Sequence, residues 1–365
     1  MANSLKKTIA GKLSDNHLFK SILGKRTDDV GYHIFRQNYD LSLSKAEKKE
    51  IAHLWGQIIR SPLSWGYRFY GMAKAIHGFD ARFLPSSYYM PYVFEALNPV
   101  EDLPILAHKG MQNLFFKGIN QPLTIATCLS GGSLFDNDYN RIDRHRIPDL
   151  LSGRDFIIKP AHDSSMGRGV KMVHSDENVD FNQLFDSYNS NFIIQEVVRQ
   201  STFTSSLNPT SLNCMRITTL NLNGNISAEN RIIKIGAKGQ VVDNIGSGSG
   251  GMMIGVSPEG VLMDFGFRVN GEKTITKHDG MPFGGMTIPN FQKVLDFAMQ
   301  CHSMIPAMGV VGWDIALDRN DDPLLVEANS YWPGITIEQV ACGPVFADRT
   351  PEVIDFLTSK SRKQH

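Results

Sequence analysis

The sequence predicts an α+β protein: a largely helical first hundred residues followed by two sheet-bearing units. Three observations predict it. Ser44-Lys-Ala-Glu47 has the form of a capping box and opens a run with apolar residues at helical spacing. From Ile105 onward the texture changes to short apolar runs cut by Gly and Pro, which read as strands. Asn223-Gly224 separates two long apolar-rich runs and is the strongest hairpin signal in the chain. At 365 residues the chain exceeds one ordinary core, and the expected division is 1–104, 105–198 and 199–365.

Composition narrows the class. Apolar residues make up 42% and charged residues 20%, values of a folded globular chain. Lys plus Arg and Asp plus Glu both total 37, so no global field draws the chain to nucleic acid or to an anionic membrane. Recognition has to come from local sites. Cys128, Cys214, Cys301 and Cys342 are scattered without a C-x-x-C pair, which argues against a zinc site or a disulfide framework and points to a reducing, cytoplasmic setting. No apolar run is long enough to span a bilayer and the N-terminus has no h-region, so secretion and membrane spanning are not expected.

Taken in order, the first 26 residues carry six Lys and Arg against the single acid Asp15, interleaved with Leu5, Ile9, Leu13, Leu18, Phe19, Ile22 and Leu23. They read as a basic amphipathic helix, packed on its own domain or resting on a membrane surface. The capping box then opens a helix with Ile51, Leu54, Trp55, Ile58 and Ile59 on one face, limited by Pro62. A second helix is expected over Ser64–Ile76, stopped by Gly78. Residues 79–105 show no clear period and read as short strands and loops.

The middle unit is expected to hold a helix over Met111–Lys117, a strand over 124–129, a loop over 130–140 and a short helix or turn over 143–151. Phe156-Ile-Ile-Lys159-Pro and Val170–Val173 flank a polar loop and read as strand, loop, strand. A helix near 181–188 and a strand over 192–198 complete that unit. Beyond it, strands are expected over 213–220, 226–235, 252–254 and 261–265, and a helix over 290–303. Val310–Leu317 and Pro323–Asn329 read as two strands joined by the acidic turn 318–322.

Two features carry chemistry. In the hairpin loop, Ser164, Ser165, Gly167 and Gly169 are small enough to leave backbone N–H groups pointing outward, and Lys159 and Arg168 stand beside them. Such a row suits a polyphosphate, while a solvent-exposed turn reads equally well. In the last strand pair, Asp314 sits among apolar residues and Glu327 and Asn329 share one face at i and i+2. If the strands pair, three hard oxygen ligands converge as a Mg²⁺ site; the alternative is a buried hydrogen-bonded network.

The order Lys109, Phe-Ile-Ile-Lys159-Pro with its Ser/Gly loop, Ile-Ile-Gln195-Glu196-Val-Val, Asn213-x-x-Arg216, Asp314 and Glu327-x-Asn329 resembles the ATP-grasp superfamily. Within it, Asp243-Asn244 followed by Gly250-Gly251, and Val311-Gly-Trp-Asp314, are similar to the sugar-transfer-associated branch; the resemblance covers about residues 100–345. It implies an ATP-grasp fold, two α+β subdomains gripping ATP. It further implies that Lys109 and Lys159 bind the α- and β-phosphates, that loop 164–169 closes as a lid, and that Gln195, Glu196, Val197 and Val198 frame the adenine. Arg216 would stabilise the transferred phosphoryl group, Asp314, Glu327 and Asn329 would hold Mg²⁺, and Arg231 and Asn244 would lie nearer the acceptor. The implied activity is an ADP-forming ligase that activates a carboxylate, small or sugar-linked, for attack by an amine. A small-molecule phosphotransferase and a non-catalytic ATP sensor are the alternatives.

Overall fold

Two antiparallel sheets of six strands organise the chain, and the helical first hundred residues pack onto the second of them. The computed structural model describes residues 17–99, 103–129, 131–162, 167–189, 191–241, 243, 250–268, 275–278, 280–330 and 333–363. The loop residues Ser164 and Ser165, and Asn244, lie outside the described residues.

The first sheet contains β1 (Thr124–Cys128), β2 (Leu134–Phe135), β3 (Arg141–Ile142), β4 (Phe156–Pro160), β5 (Lys171–Val173) and β6 (Phe192–Glu196), in the order β3-β2-β1-β6-β4-β5. Short strands β2 and β3 occupy the stretch expected to be loop; the Asp136 carboxylate closes their turn by accepting from the backbone of Asp138 and Asn140. The 156–173 hairpin forms with Phe156 opposite Val173 and Ile158 opposite Lys171. Its apolar face, with Phe181, Phe185 and Phe192, makes a small separate core.

The second sheet contains β7 (Cys214–Leu222), β8 (Asn225–Ile235), β9 (Met252–Val256), β10 (Leu262–Phe267), β13 (Val310–Leu317) and β14 (Pro323–Asn329), ordered β10-β9-β8-β7-β13-β14; β11 (Lys277–His278) and β12 (Met281–Pro282) pair apart. Asn223 and Gly224 make the β7–β8 turn with φ of 53° and 86°, the pair of left-handed residues that matches strand twist. On one face of this sheet lies the long helix Phe291–Ser303, and on the other the short helix Ile335–Cys342.

The first hundred residues contain helices α1 (His17–Asp28), α2 (Lys45–Trp55) and α3 (Tyr67–His77). The capping box forms as read: Ser44 and Glu47 satisfy each other's backbone N–H. Gly78 ends α3 with φ 84°. Two expectations fail. Residues 86–97 contain no strand; they are helical, with a wide turn over Tyr89–Phe94 that accommodates Pro91, whose missing N–H disfavours a regular helix interior. In α1 the buried residues are Ser21, Gly24 and Asp28, while Leu18, Ile22 and Leu23 face outward. The reason is close backbone approach: a Cβ on Gly24 would stand 2.5 Å from Ser86 and Ser87 backbone atoms. The Asp28 carboxylate accepts from both their N–H groups, and burial pushes its pKa up to about 7.

Two polar staples join the parts. Buried Asn98 donates to the carbonyls of Val310 and Ser330 and accepts from the N–H of Gly309 and Val310, tying the helical region to the start of β13 and the end of β14. Between the sheets, Asn120 pairs with the backbone of Pro323 and Leu325, and the Lys109 N–H donates to the Ala161 carbonyl at 2.7 Å.

Behind the sheet lies a fully satisfied neutral chain. Trp313 Nε1 donates to Thr219 Oγ1 (2.7 Å), His302 Nε2 donates to the Met308 carbonyl (2.8 Å), and Nδ1 is left to accept from Thr219 Oγ1 (2.6 Å). Burial pushes the His302 pKa down to about 4. Because the unfolded chain takes up a proton near pH 6.5 and the folded one does not, stability is present above that pH and is lost on acidification toward 4. Between pH 7 and 5 this histidine should cost about 2 kcal/mol. Urea unfolding of wild type and His302→Gln at both pH values measures it: the variant should show a correspondingly smaller loss.

Candidate functional site

The site grows from the pairing of β7, β13 and β14. Asp314 stands opposite Glu327 on one side and opposite Arg216 on the other, so the three side chains leave one face of the sheet. Asn329 joins that face, its Nδ2 3.3 Å from Asp314 Oδ2. Asp314 and Arg216 form a bidentate pair, Nε to Oδ1 at 2.7 Å and Nη2 to Oδ2 at 2.9 Å.

Lys234 reaches the same aspartate from β8, 3.0 Å from Oδ1, and lies 3.2 Å from Asp243. Burial alone would raise the Asp314 pKa, but Arg216 and Lys234 outweigh it and hold the carboxyl well below the usual range. Burial works against the Lys234 ammonium as well, yet Asp243 and Asp314 push its pKa up. A buried cluster of this kind survives only because each charge has a partner.

Opposite this face is the end of the hairpin. Lys109 makes an ion pair with Glu327 at 3.0 Å and its backbone is tied to Ala161, two residues past Lys159. Lys159 loses water around its ammonium, which brings its pKa down to about 8 against the opposing pull of Glu327 and Asp314, with Lys109 adding to the fall. The two lysines therefore stand beside the acidic strand pair, more than 150 residues away in sequence.

The other residues singled out in the sequence are held by contacts of their own. Glu196 is engaged with Leu123, accepting its N–H at 3.1 Å, and Gln195 Nε2 donates to Thr124 Oγ1 at 3.1 Å. Val197 is half-buried, and Val198 packs beside Cys214, Ala316 and Leu324. Gly167 and Gly169 hold φ of 68° and 75°; a Cβ on Gly169 would stand 2.8 Å from the Pro160 ring, and its carbonyl accepts from the Tyr188 hydroxyl. Arg168 is exposed on that loop. Arg231 stands opposite Ile217, one residue out of step with Arg216, so strand alternation sends it to the other face; its Nη1 donates to the Ala228 carbonyl.

Three residues of the cluster were not singled out from the sequence as site residues: Lys234, Asp243 and Glu338. Lys234 carried the same signal as Asp314, one charge in the apolar run Ile232–Ile235. Glu338 lies on the helix α6, Ile335–Cys342, the helices α4 (Phe181–Asp186) and α5 (Phe291–Ser303) preceding it. Its Oε1 accepts from Arg216 Nη1 at 3.2 Å, and the same nitrogen donates to the Pro333 carbonyl at 3.0 Å. Burial pushes the Glu338 pKa up to about 8 despite Arg216.

Among the described residues no group of three His, Cys, Asp or Glu is placed to hold a metal. The donor set on the sheet face is instead two carboxylates and an amide, Asp314, Glu327 and Asn329, all hard oxygen donors on adjacent strands, and their chemistry fits Mg²⁺.

A family model described as sugar-transfer associated ATP-grasp matches residues 92–354. No curated protein matches. Among solved structures the chain is similar to D-alanine-D-alanine ligase from Coxiella burnetii, at 13% identity over 71% of this chain and 59% of that one, with a TM-score of 0.40. It is similar also to N5-carboxyaminoimidazole ribonucleotide synthetase from Thermotoga maritima (12%, 64% and 44%, TM-score 0.38) and to biotin carboxylase from Campylobacter jejuni (11%, 72% and 48%, TM-score 0.44). The chain spans roughly half the length of these structures.

The charge cluster makes a stability prediction. Lys234→Met leaves Asp243 without its ion-pair partner and takes one cation from Asp314, and should destabilise by about 3–5 kcal/mol, where an exposed pair such as Arg68–Asp29 contributes under about 1. Adding Asp243→Asn should restore part of the loss. Denaturant midpoints of the two variants decide it, and equal midpoints would count against the pairing.

Proposed function

This chain belongs to the sugar-transfer associated ATP-grasp family, and from that premise we propose that it is an ATP-dependent ligase that activates a carboxylate as an acylphosphate and joins it to an amine. The observation that carries the reading is the contact across the cleft: Lys109 on Glu327 at 3.0 Å, with Lys159 beside both. It brings phosphate-binding cations to an acidic, metal-suited strand pair, the two halves that phosphoryl transfer from a nucleotide needs.

Electrostatics support it. Lys109, Lys159, Arg216 and Lys234 face Asp243, Asp314, Glu327 and Glu338. Burial favours the neutral form of Glu338, which shifts the balance of the cluster toward positive charge, a favourable place for a polyphosphate.

The family resemblance and the arrangement of the cluster support these roles. Lys109 and Lys159 would bind nucleotide phosphates, and Asp314, Glu327 and Asn329 would hold Mg²⁺, which when bound neutralises charge on the phosphates. Among the described residues, four of the five Arg216 N–H groups are occupied by Asp314, Pro333 and Glu338, and the remaining Nη2 hydrogen would meet the phosphoryl oxygens. The γ-phosphorus bonds to a carboxylate oxygen as its bond to the β,γ-bridging oxygen breaks and ADP leaves. An amine nitrogen then bonds to the acyl carbon, phosphate departs, and the nitrogen loses a proton. The 167–169 segment, anchored by Pro160 and Tyr188, would carry the loop that excludes water. Lys159, Arg216 and the carboxylates are groups for chemistry, beyond what a sensing module needs. The sugar-transfer setting of the family points to a uronic-acid or amino-acid carboxylate as substrate, in a cytoplasmic biosynthetic step.

Screening uronic and amino acids with MgATP and hydroxylamine, and reading ADP and hydroxamate together, tests the reaction. Hydroxamate with equimolar ADP is expected; a stable phosphorylated product without hydroxamate would make the protein a phosphotransferase instead. Glu327→Gln should abolish turnover, and a fully active variant would remove the metal assignment. ATP binding should also depend on pH through Lys159: protonated Lys159 favours phosphate, so affinity should fall about tenfold between pH 7 and 9. Lys159→Arg, which keeps its charge, should flatten that profile; calorimetric titration with ATP across the range checks it.

A further inference from the structure

Gln339 joins the Arg216 site to a part of the chain outside the family match. Its buried amide makes three hydrogen bonds: the N–H of Leu84 and of Val345 donate to Oε1 at 3.0 and 3.2 Å, and Nε2 donates to the Leu84 carbonyl at 2.9 Å. On the same helix the Thr336 hydroxyl is bonded to the Ser86 hydroxyl, and His77 Nε2 donates to the Val340 carbonyl at 2.9 Å. Residues 77–86, which precede the matched region 92–354, thus grip α6 at three points.

The other side of α6 grips the guanidinium. Glu338 and the Pro333 carbonyl hold Nη1, opposite the Asp314 pair on Nε and Nη2. There is no slack in this contact. A Cβ on Gly334, which has φ 79°, would stand 2.9 Å from both Arg216 Nη1 and Glu338 Oε1; a Cβ on Gly312 would stand 2.6 Å from the Pro333 carbonyl oxygen and 3.1 Å from Arg216 Cδ. Both glycines let backbone come close enough to fix the guanidinium.

We propose that the helical region before residue 92 is a positioning frame for Arg216, transmitted through Gln339 and α6. The proposal rests on the reading of Arg216 as the phosphoryl-facing cation. With one hydrogen left for substrate, the direction of that hydrogen is set by the other four bonds. Stabilisation of charge developing on the phosphoryl group depends on a donor already aimed, and displacement of the order of an ångström forfeits most of it. Asp314 sits within the sheet and fixes one edge of the guanidinium; the other edge is only as well placed as α6. Gln339 and Glu338 are positioning residues in this scheme, and they touch no substrate.

The test uses the full chain with MgATP, hydroxylamine and the carboxylate panel, reading ADP release at saturating ATP and ATP affinity by calorimetry. Gln339→Leu and Glu338→Ala should lower the rate at least tenfold with the ATP dissociation constant within twofold of wild type. Glu338→Gln, whose amide oxygen still accepts from Nη1, should stay within threefold. In an Arg216→Lys background, Gln339→Leu should change the rate less than twofold, because what it positions is gone. Should Gln339→Leu not fold, Gly334→Ala crowds the guanidinium with the anchor intact and should show the same pattern. His302→Gln, altered on the other face of the sheet, should keep its rate. A native rate in Gln339→Leu, a loss additive with Arg216→Lys, or a matching loss of ATP affinity would overturn the proposal. A wild type that neither binds ATP nor releases ADP would instead overturn the ligase reading beneath it.

Discussion

The Arg216–Asp314 pair is the constraint on which the site depends. Two charges buried inside a sheet are tolerable only when each is nearly saturated with partners, and here the guanidinium offers four of its five hydrogens to Asp314, Pro333 and Glu338. Asp314 in turn serves Arg216, Lys234 and Asn329. The pair dictates that β7 lie next to β13, that Lys234 enter from β8, and that α6 approach closely enough to need glycine at 312 and 334.

That arrangement also explains how the two sheets work as one site. The first sheet contributes Lys159 at the end of β4, and the connection from Lys109 to Asn120 holds it over the second by bonding Ala161 on one side and β14 on the other. The cations are drained of water by the same closure that brings them to Glu327, and so Lys159 becomes a softer cation than a surface lysine. The fold is the α+β ATP-grasp architecture of its family, and the helical region adds a third layer, continuous in its apolar packing with the second sheet.

Much of this was legible in the residues. The capping box at Ser44, the Asn223-Gly224 turn and the two closing strands were readable because each is a local device whose physics lies within a few residues. Asp314, Glu327 and Asn329 were readable because a charge standing alone in an apolar strand needs a partner, and the motif order that joins them to Lys109, Lys159 and Arg216 was readable only as a family resemblance. Less was readable where packing decides. The helix α1 buries Ser21, Gly24 and Asp28 because its partner is a backbone turn at Ser86, and no periodicity in α1 itself announces that.

The sequence by itself determined the long strands of the two sheets, the tight turn at Asn223-Gly224, and that lysines and carboxylates stand alone in apolar runs, since these follow from side-chain period, turn stereochemistry and residue type. Only the tertiary structure decided that Arg231 leaves the far face while Lys234 joins Arg216, and that Glu338 and Gln339, neighbours on one helix, point to the guanidinium and to the N-terminal region. The physical reason is that strand register and helix placement arise from contacts between residues far apart in the chain, where a shift of one residue exchanges the two faces of a sheet.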